Sequence, residues 1–257
     1  MSNTGPVALV SGASRGIGRA IAVRLARDGF DVAGTYVRDG AAAAGTRDAV
    51  AAQGRRCTMY HCDVADPEAV ARLLQDVADE FGRLDVVVHN AGIASRGREV
   101  ADTSAGEIAR VLGVHALGAF HLTSTSIPLL RKSDRGNVVL VSSTATSNPK
   151  PGGAPYTMGK AALEALGETL SLEEAPHGTR VNIVAPGLVA TEMGNRLAHA
   201  VSGVDAAGDL DAQMPLGRVT RPEDVADTVA FLVSEEARQI TGQRIEVHGG
   251  FAGVPRP

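Results

Sequence analysis

The chain has 257 residues, 44% hydrophobic and 21% charged, the proportions of an ordinary soluble globule. A net charge of −4 leaves no basic stripe for nucleic acid and no cationic face for an anionic membrane. Only two cysteines, Cys57 and Cys62, are present, so there is neither a disulfide framework nor metal-ligand spacing, and no metal is expected. No apolar run approaches the roughly 18 residues of a membrane span. The opening MSNTGPVALVSG has no basic or apolar leader pattern, and with the sparse cysteines it predicts a reducing, cytoplasmic location.

Short apolar runs alternate with amphipathic stretches. Residues 6–10 form the first run, followed by a Gly-rich turn and a helical pattern through Ile21, Leu25 and Ala26. The run at 31–36 precedes an Ala-rich helix over 41–53. Next come a run at 56–60 and a helix over 67–81, opened by a capping Asp66 and a first-turn Pro67. Apolar runs at 84–89, 137–142, 179–185 and 244–247 complete the strands, and helical patterns fill 104–131, 156–175 and 222–234. Strands that are continuously apolar predict a parallel sheet buried on both faces, hence an α/β fold in a single domain over residues 1–257. Two stretches depart from the alternation. Residues 144–155 are rich in Pro, Gly and Ser and read as a loop; residues 192–215 lack a firm period and read as a mobile lid.

The first strand leads into Ser11-Gly12-Ala13-Ser14-Arg15-Gly16-Ile17-Gly18. Its G-x-x-x-G-x-G spacing allows a tight turn and close backbone approach, and the following helix presents free N–H groups to phosphate. The second strand ends near Tyr36, where a ribose-binding acid is often found. Arg15 and Arg38 instead offer guanidinium groups to a 2′-phosphate, which favours NADP(H) over NAD(H). The alternative is a solvated Arg38, with Asp39 serving as the acid.

Tyr156 and Lys160 are four residues apart, on one face of a helix. A free phenol titrates near 10, and a neighbouring ammonium lowers that value toward usable acid–base chemistry. Ser142 and Ser143, at the end of a strand, supply a hydroxyl to hold a substrate oxygen.

Taken together these elements resemble the short-chain dehydrogenase/reductase family over nearly the whole chain. Ser11 stands in place of the family's usual threonine in the nucleotide turn. Asp63-Val64 resembles the adenine-contacting pair, and His89-Asn90-Ala91-Gly92 the N-N-A-G segment with histidine first. Ser143 lies 13 residues before the tyrosine, the catalytic spacing, so Ser142 is the structural serine. Pro186-Gly187-Leu188-Val189-Ala190-Thr191 is similar to the nicotinamide-contacting segment, and Thr241-Gly242-Gln243 with Gly249-Gly250 to the last strand. The resemblance implies a Rossmann-type doubly wound sheet of about seven strands, and hydride transfer between nicotinamide and a carbonyl or alcohol carbon. Tyr156 would be the proton donor, Ser143 the oxygen-binding group, and Lys160 the residue that tunes Tyr156 and binds ribose.

One departure is His115, at the position of the family's catalytic asparagine. Three readings stand open: the backbone carbonyl suffices, the imidazole relays protons because it titrates near neutrality, or catalysis is impaired and the chain is a nucleotide sensor. The overall pattern is most like the 3-oxoacyl-[acyl-carrier-protein] reductase branch, which implies a β-keto thioester and an acyl carrier protein as partner. Arg131, Lys132, Asp134, Arg135, Glu173, Glu174 and His177 occupy the docking ground, for which a solvated face is the alternative. Met193, Leu197, Val201, Val204, Leu210 and Met214 in the lid favour an apolar substrate, and free ketones or alcohols are the competing class. The resemblance also implies a homotetramer or homodimer.

Overall fold

Seven apolar segments become the strands of one parallel sheet in the computed structural model, which describes residues 5–251 and Gly253. The first residues read for a leader lie outside the described ones. The strands are β1 (Val7–Val10), β2 (Asp31–Tyr36), β3 (Cys57–His61), β4 (Val86–His89), β5 (Asn137–Val141), β6 (Arg180–Pro186) and β7 (Arg244–Val247). Their order is β3-β2-β1-β4-β5-β6-β7, every neighbouring pair parallel.

Strands β1, β4 and β5 are buried along their whole length because helices cover both faces of the sheet, which removes any alternation with polar residues. On one face, α3 (Pro67–Phe81), α5 (Gly118–Leu130) and α6 (Ala154–Glu174) supply Leu73, Val77, Leu122 and Leu163 to a core with Val87 and Leu140. On the other, α1 (Gly16–Arg27) and α8 (Pro222–Val233) pack Ile21, Leu25, Val225 and Val229 against Val10, Val88 and Val139. Helix α2 (Gly40–Ala51) closes the edge beside β2 and β3.

Local chemistry sets the helix ends. Asp66 accepts the N–H groups of Glu68 and Ala69 at the start of α3, and Gly82, at φ 75°, ends it in the left-handed conformation. Asp85, fully buried before β4, accepts the Val7 N–H at 2.7 Å, two Arg83 donors at 2.6 and 2.8 Å, and the Ser133 hydroxyl at 2.6 Å. It braces the N-terminal edge of the sheet. At the opposite, C-terminal edge the strand order reverses between β1 and β4, and the crevice of an open α/β sheet lies there.

The structure adds detail to two readings of the sequence. The helical pattern at 104–131 is α4 (Ala105–Leu112), a π-helical turn at Gly113–Leu117, and then α5. A Cβ on Gly118 would meet Val64 Cγ2 at 2.7 Å, so this wide turn lies tight against the segment after β3. Residues 192–215, where the sequence shows no firm period, hold α7 (Glu192–Ser202) followed by a 3-10 helix at Ala207–Gln213. Leu188, Ala198, Ala207, Leu210, Met214 and Val219 form a small core beneath them, a pattern that no single period in the sequence reveals.

Candidate active site

The nucleotide turn is built from backbone. Gly12 and Gly16 sit at φ 63° and 55°, and a Cβ on Gly18 would fall 2.2 Å from the Gly12 oxygen. Helix α1 starts at Gly16 with no side chain capping it, which leaves first-turn N–H groups for an anion, beside Ser14 and the half-buried Ile17. The segment after β4 locks the turn in place. Ser11 Oγ accepts the N–H groups of Asn90 and Ala91 at 3.0 Å each, and Asn90 Nδ2 donates to the carbonyls of Ser11 and Gly12 at 3.1 Å each.

At the far end of the turn Arg15 is paired with carboxylates, and Arg38 makes no ion pair among the described residues. Arg15 donates to Asp39 at 2.6 Å and to Glu192 at 2.8 Å, while Arg38 is exposed. Asp39 is also the cap of α2, accepting the Ala42 N–H at 2.8 Å, so two jobs hold its carboxylate just after β2. Tyr36 packs edge-on against His61, ring centroids 5.7 Å apart. Asp63 is exposed and accepts the Ala65 N–H; Val64 is buried in the core.

Ser143, Tyr156 and Lys160 converge at the end of β5. Ser142 turns inward to donate to Glu164, in keeping with a structural role, whereas the Ser143 side chain hydrogen-bonds the Tyr156 phenol. Tyr156 and Lys160 lie one turn apart near the start of α6, with the Lys160 ammonium 5.9 Å from the phenol ring centre. Lys160 is buried and donates to the Val141 carbonyl at 2.7 Å. Burial pushes its pKa down to about 7, against the opposing pull of Glu164. Tyr156 moves the other way. Loss of solvation raises its pKa, the Ser143 hydrogen bond offsets part of that rise, and the ammonium faces Val141, so the expected lowering by Lys160 is not what governs the phenol here.

A family model described as Enoyl-(Acyl carrier protein) reductase matches residues 12–252. The chain is 36% identical to the 3-oxoacyl-[acyl-carrier-protein] reductase FabG of Escherichia coli K12, covering 98% of this chain and 99% of that one. The chain belongs to the short-chain dehydrogenase/reductase family. It is an oxidoreductase of the kind that takes a nicotinamide dinucleotide. An uncharacterized oxidoreductase of Methylorubrum extorquens is 37% identical over 96% of this chain and 97% of its own. Among solved structures, NAD+-bound xylitol dehydrogenase superposes with a TM-score of 0.88 at 30% identity, over 95% of this chain and 98% of that one. A short-chain dehydrogenase from Burkholderia cenocepacia in complex with NADP gives 0.86 at 36% identity, over 95% and 97%.

Against this family background His115 is a deep core residue. It sits in the π-helical turn with its ring edge-on to Tyr156, centroids 5.2 Å apart. Burial, and then the charge of Lys160, push its pKa down to about 2, which weighs against the reading of the ring as a proton relay. An imidazole that stays neutral does not relay protons as imidazolium. His89, which sequence reading noted only as a departure, is equally buried and is pushed down to about 3 by burial and by Lys160. Two neutral imidazoles near the lysine are the feature that residue spacing alone does not disclose.

The segment after β6 completes the crevice. The Pro186 carbonyl accepts the Thr144 N–H at 2.9 Å, Gly187 donates to Val247 at 3.0 Å, and Val189 bridges to Thr220. Thr191 caps α7, accepting the Gly194 N–H at 3.1 Å, and its methyl would lie 3.4 Å from a Cβ on Gly16. The glycine turn and the start of α7 therefore meet at Gly16 and Arg15. Leu210 and Met214 belong to the lid's own core, whereas Leu197 and Val201 are exposed. On the docking ground, Arg131 forms a two-point ion pair with buried Glu174 at 2.7 and 3.0 Å, so this pair serves the fold.

Proposed function

We propose that the protein is an NADPH-dependent ketone reductase acting on a 3-oxoacyl thioester or a related β-keto substrate. The observation that carries this reading is the joining of Ser143, Tyr156 and Lys160 at the end of β5, across the crevice from the glycine turn. The turn fits a dinucleotide: its glycines admit a pyrophosphate, and uncapped N–H groups await the charge. When bound, the nicotinamide supplies the hydride. Ser143 donates a hydrogen bond to the substrate oxygen, and Tyr156 delivers the proton to that oxygen as charge develops. Lys160, one helical turn from Tyr156, is the residue that would reach the ribose in this reading. Asp63, Val64, Asn90, Ala91, Gly92, Pro186, Gly187, Val189 and Thr191 line the dinucleotide path in this reading.

NADP(H) is favoured by Arg15 at the turn and by the exposed Arg38 one residue before Asp39; the Asp39 carboxylate is the feature on the NAD(H) side. We read residues 1–257 as one domain and 192–215 as its substrate lid. Exposed Lys132 and partly exposed Arg135 remain available to an acidic carrier protein. Leu117 and Phe120, and Met158 and Leu172 on α6, expose more than two-fifths of their surface, which suits burial against further copies in a dimer or tetramer. A cytoplasmic enzyme accords with the absence of any long apolar helix among the described residues. The second reading, reduction of a free apolar or cyclic ketone, draws on Leu197 and Val201 at the lid surface.

Loss of NADPH absorbance, and separately NADH absorbance, against a β-keto thioester, a cyclic diketone and an aryl ketone tests the proposal. NADPH-selective turnover of the thioester is the expected result. Turnover of ketones alone moves the assignment to the second reading. Tight dinucleotide binding with no turnover in either direction sinks both and leaves a nucleotide sensor.

A further inference from the structure

The segment Ser142-Ser143-Thr144-Ala145-Thr146-Ser147 at the end of β5 is crowded with hydroxyls, and three of them bond two carboxylates. Ser142 and Thr146 donate to Glu164 of α6, Thr146 at 2.9 Å, and Ser147 donates to Glu246 of β7 at 2.9 Å. Between those carboxylates lies Arg244, the first residue of β7. Its Nε donates to Glu164 at 2.9 Å and one terminal nitrogen to Glu246 at 2.6 Å. The other terminal nitrogen reaches the Thr146 hydroxyl at 2.8 Å and the Ser143 carbonyl at 3.3 Å. Every nitrogen of the guanidinium is used, and its planar fork fixes these directions relative to one another. Glu164 and Arg244 keep only 13% and 23% of their side-chain surface, so each charge depends on the other.

The Ser143 carbonyl belongs to a tight turn. It also accepts the Thr146 N–H at 3.3 Å, and Ser143 Oγ accepts the Ala145 N–H at 3.1 Å. That second bond ties the serine side chain to the backbone beside it, so holding the turn holds the hydroxyl. The Thr146 hydroxyl has one proton and lies 2.9 Å from both the Ser143 carbonyl and Glu164. The carboxylate is the stronger acceptor and takes the proton. The guanidinium is then the side-chain donor left for the Ser143 carbonyl.

We infer that Arg244 is a positioning residue for Ser143: braced between Glu164 and Glu246, it clamps the turn that aims the serine hydroxyl at the substrate oxygen. This rests on the reading of Ser143 as the oxygen-binding group. The last strand thereby takes part in the chemistry from behind the site.

Arg244→Lys keeps a cation between the carboxylates and removes the fork. In the folded, cofactor-free variant, amide exchange at Ala145 and Thr146 is expected to quicken about tenfold relative to the amides of β5, the loss of one charged hydrogen bond. Unchanged exchange overturns the inference whatever the protein reduces. Kinetics then ask whether the clamp serves the hydroxyl. On a carbonyl that the wild type reduces, Arg244→Lys is expected to lower kcat about ten- to a hundredfold, the scale of a misplaced reacting group, with KM for the dinucleotide little changed. In a Ser143→Ala background the same substitution is expected to change kcat by less than about twofold, because the hydroxyl it positions is gone. Losses that multiply in the double variant overturn the inference, since Arg244 then acts by another route. Ser143→Ala at the wild-type rate removes the reading of Ser143, and the inference with it. If Arg244→Lys does not fold, Arg244→Met with Glu164→Gln removes both charges of the buried pair and carries the same two comparisons, with Glu164→Gln alone as its reference.

Discussion

Arg15 and Asp39 form an ion pair at 2.6 Å across the mouth of the nucleotide turn. The guanidinium that would greet a 2′-phosphate is thereby matched with a carboxylate that would repel one, and cofactor choice becomes a contest between these two side chains. Asp39→Asn keeps the helix cap and removes the negative charge. It is expected to raise the preference for NADPH over NADH about tenfold, equivalent to ~1.4 kcal/mol. Arg15→Ala is expected to weaken NADPH more than NADH. Dissociation constants for both nucleotides, measured by fluorescence at one ionic strength, check the pair; equal effects on the two would remove Arg15 from 2′-phosphate recognition.

Tyr156→Phe deletes the proton donor and leaves the ring that packs against His115. Turnover is expected to fall by a factor of about 10²–10⁴ or more, with nucleotide affinity nearly unchanged. Ser143→Ala, which takes away the hydroxyl bonded to the phenol, is expected to follow the same pattern. Steady-state rates on whichever carbonyl proves active, together with nucleotide binding, test this, and a Tyr156→Phe protein with wild-type turnover would remove the mechanism.

Stability should decline in acid for a specific reason. His89 and His115 have their pKa values pushed down to about 3 and about 2, while an unfolded histidine binds its proton near 6.5. As pH falls from about 6.5 toward 3, the unfolded chain takes up protons that the folded protein refuses, so each histidine lowers stability by up to about 1.4 kcal/mol per pH unit. Thermal midpoints across pH 4–7 are expected to fall in wild type and to fall less steeply in His89→Asn and in His115→Asn. Parallel curves would show that neither imidazole is held neutral.

Asp85 offers a control remote from the chemistry. Its carboxylate, held below the usual range by Arg83 and Ser133 against the opposing effect of burial, also receives the Val7 N–H. Asp85→Ala leaves those donors without an acceptor and is expected to cost about 3 kcal/mol. Activity per folded molecule should persist, because Asp85 lies before β4 and the crevice lies after it. Urea unfolding with activity measured in parallel separates the two effects.

Much of the architecture is legible in the chain because its signals are local. Continuous apolar runs become buried parallel strands, Asp66-Pro67 opens α3 where capping chemistry says it should, and glycines at 12, 16 and 18 stand where only glycine fits. Spacing also suffices to place Tyr156 and Lys160 on one helical face and Ser143 at a strand end, since a helical turn is a property of the backbone. Tertiary structure decided the rest. Arg15, Asp39 and Glu192 are brought together from two loops and the start of α7, so no sequence window contains their ion pairs. The small core packed under 192–215 draws on Leu188 and Val219, which lie outside that stretch. Most of all, the lowered pKa of His115 follows from burial and from the charge of Lys160, and desolvation is a property of the folded interior that a residue's identity does not carry.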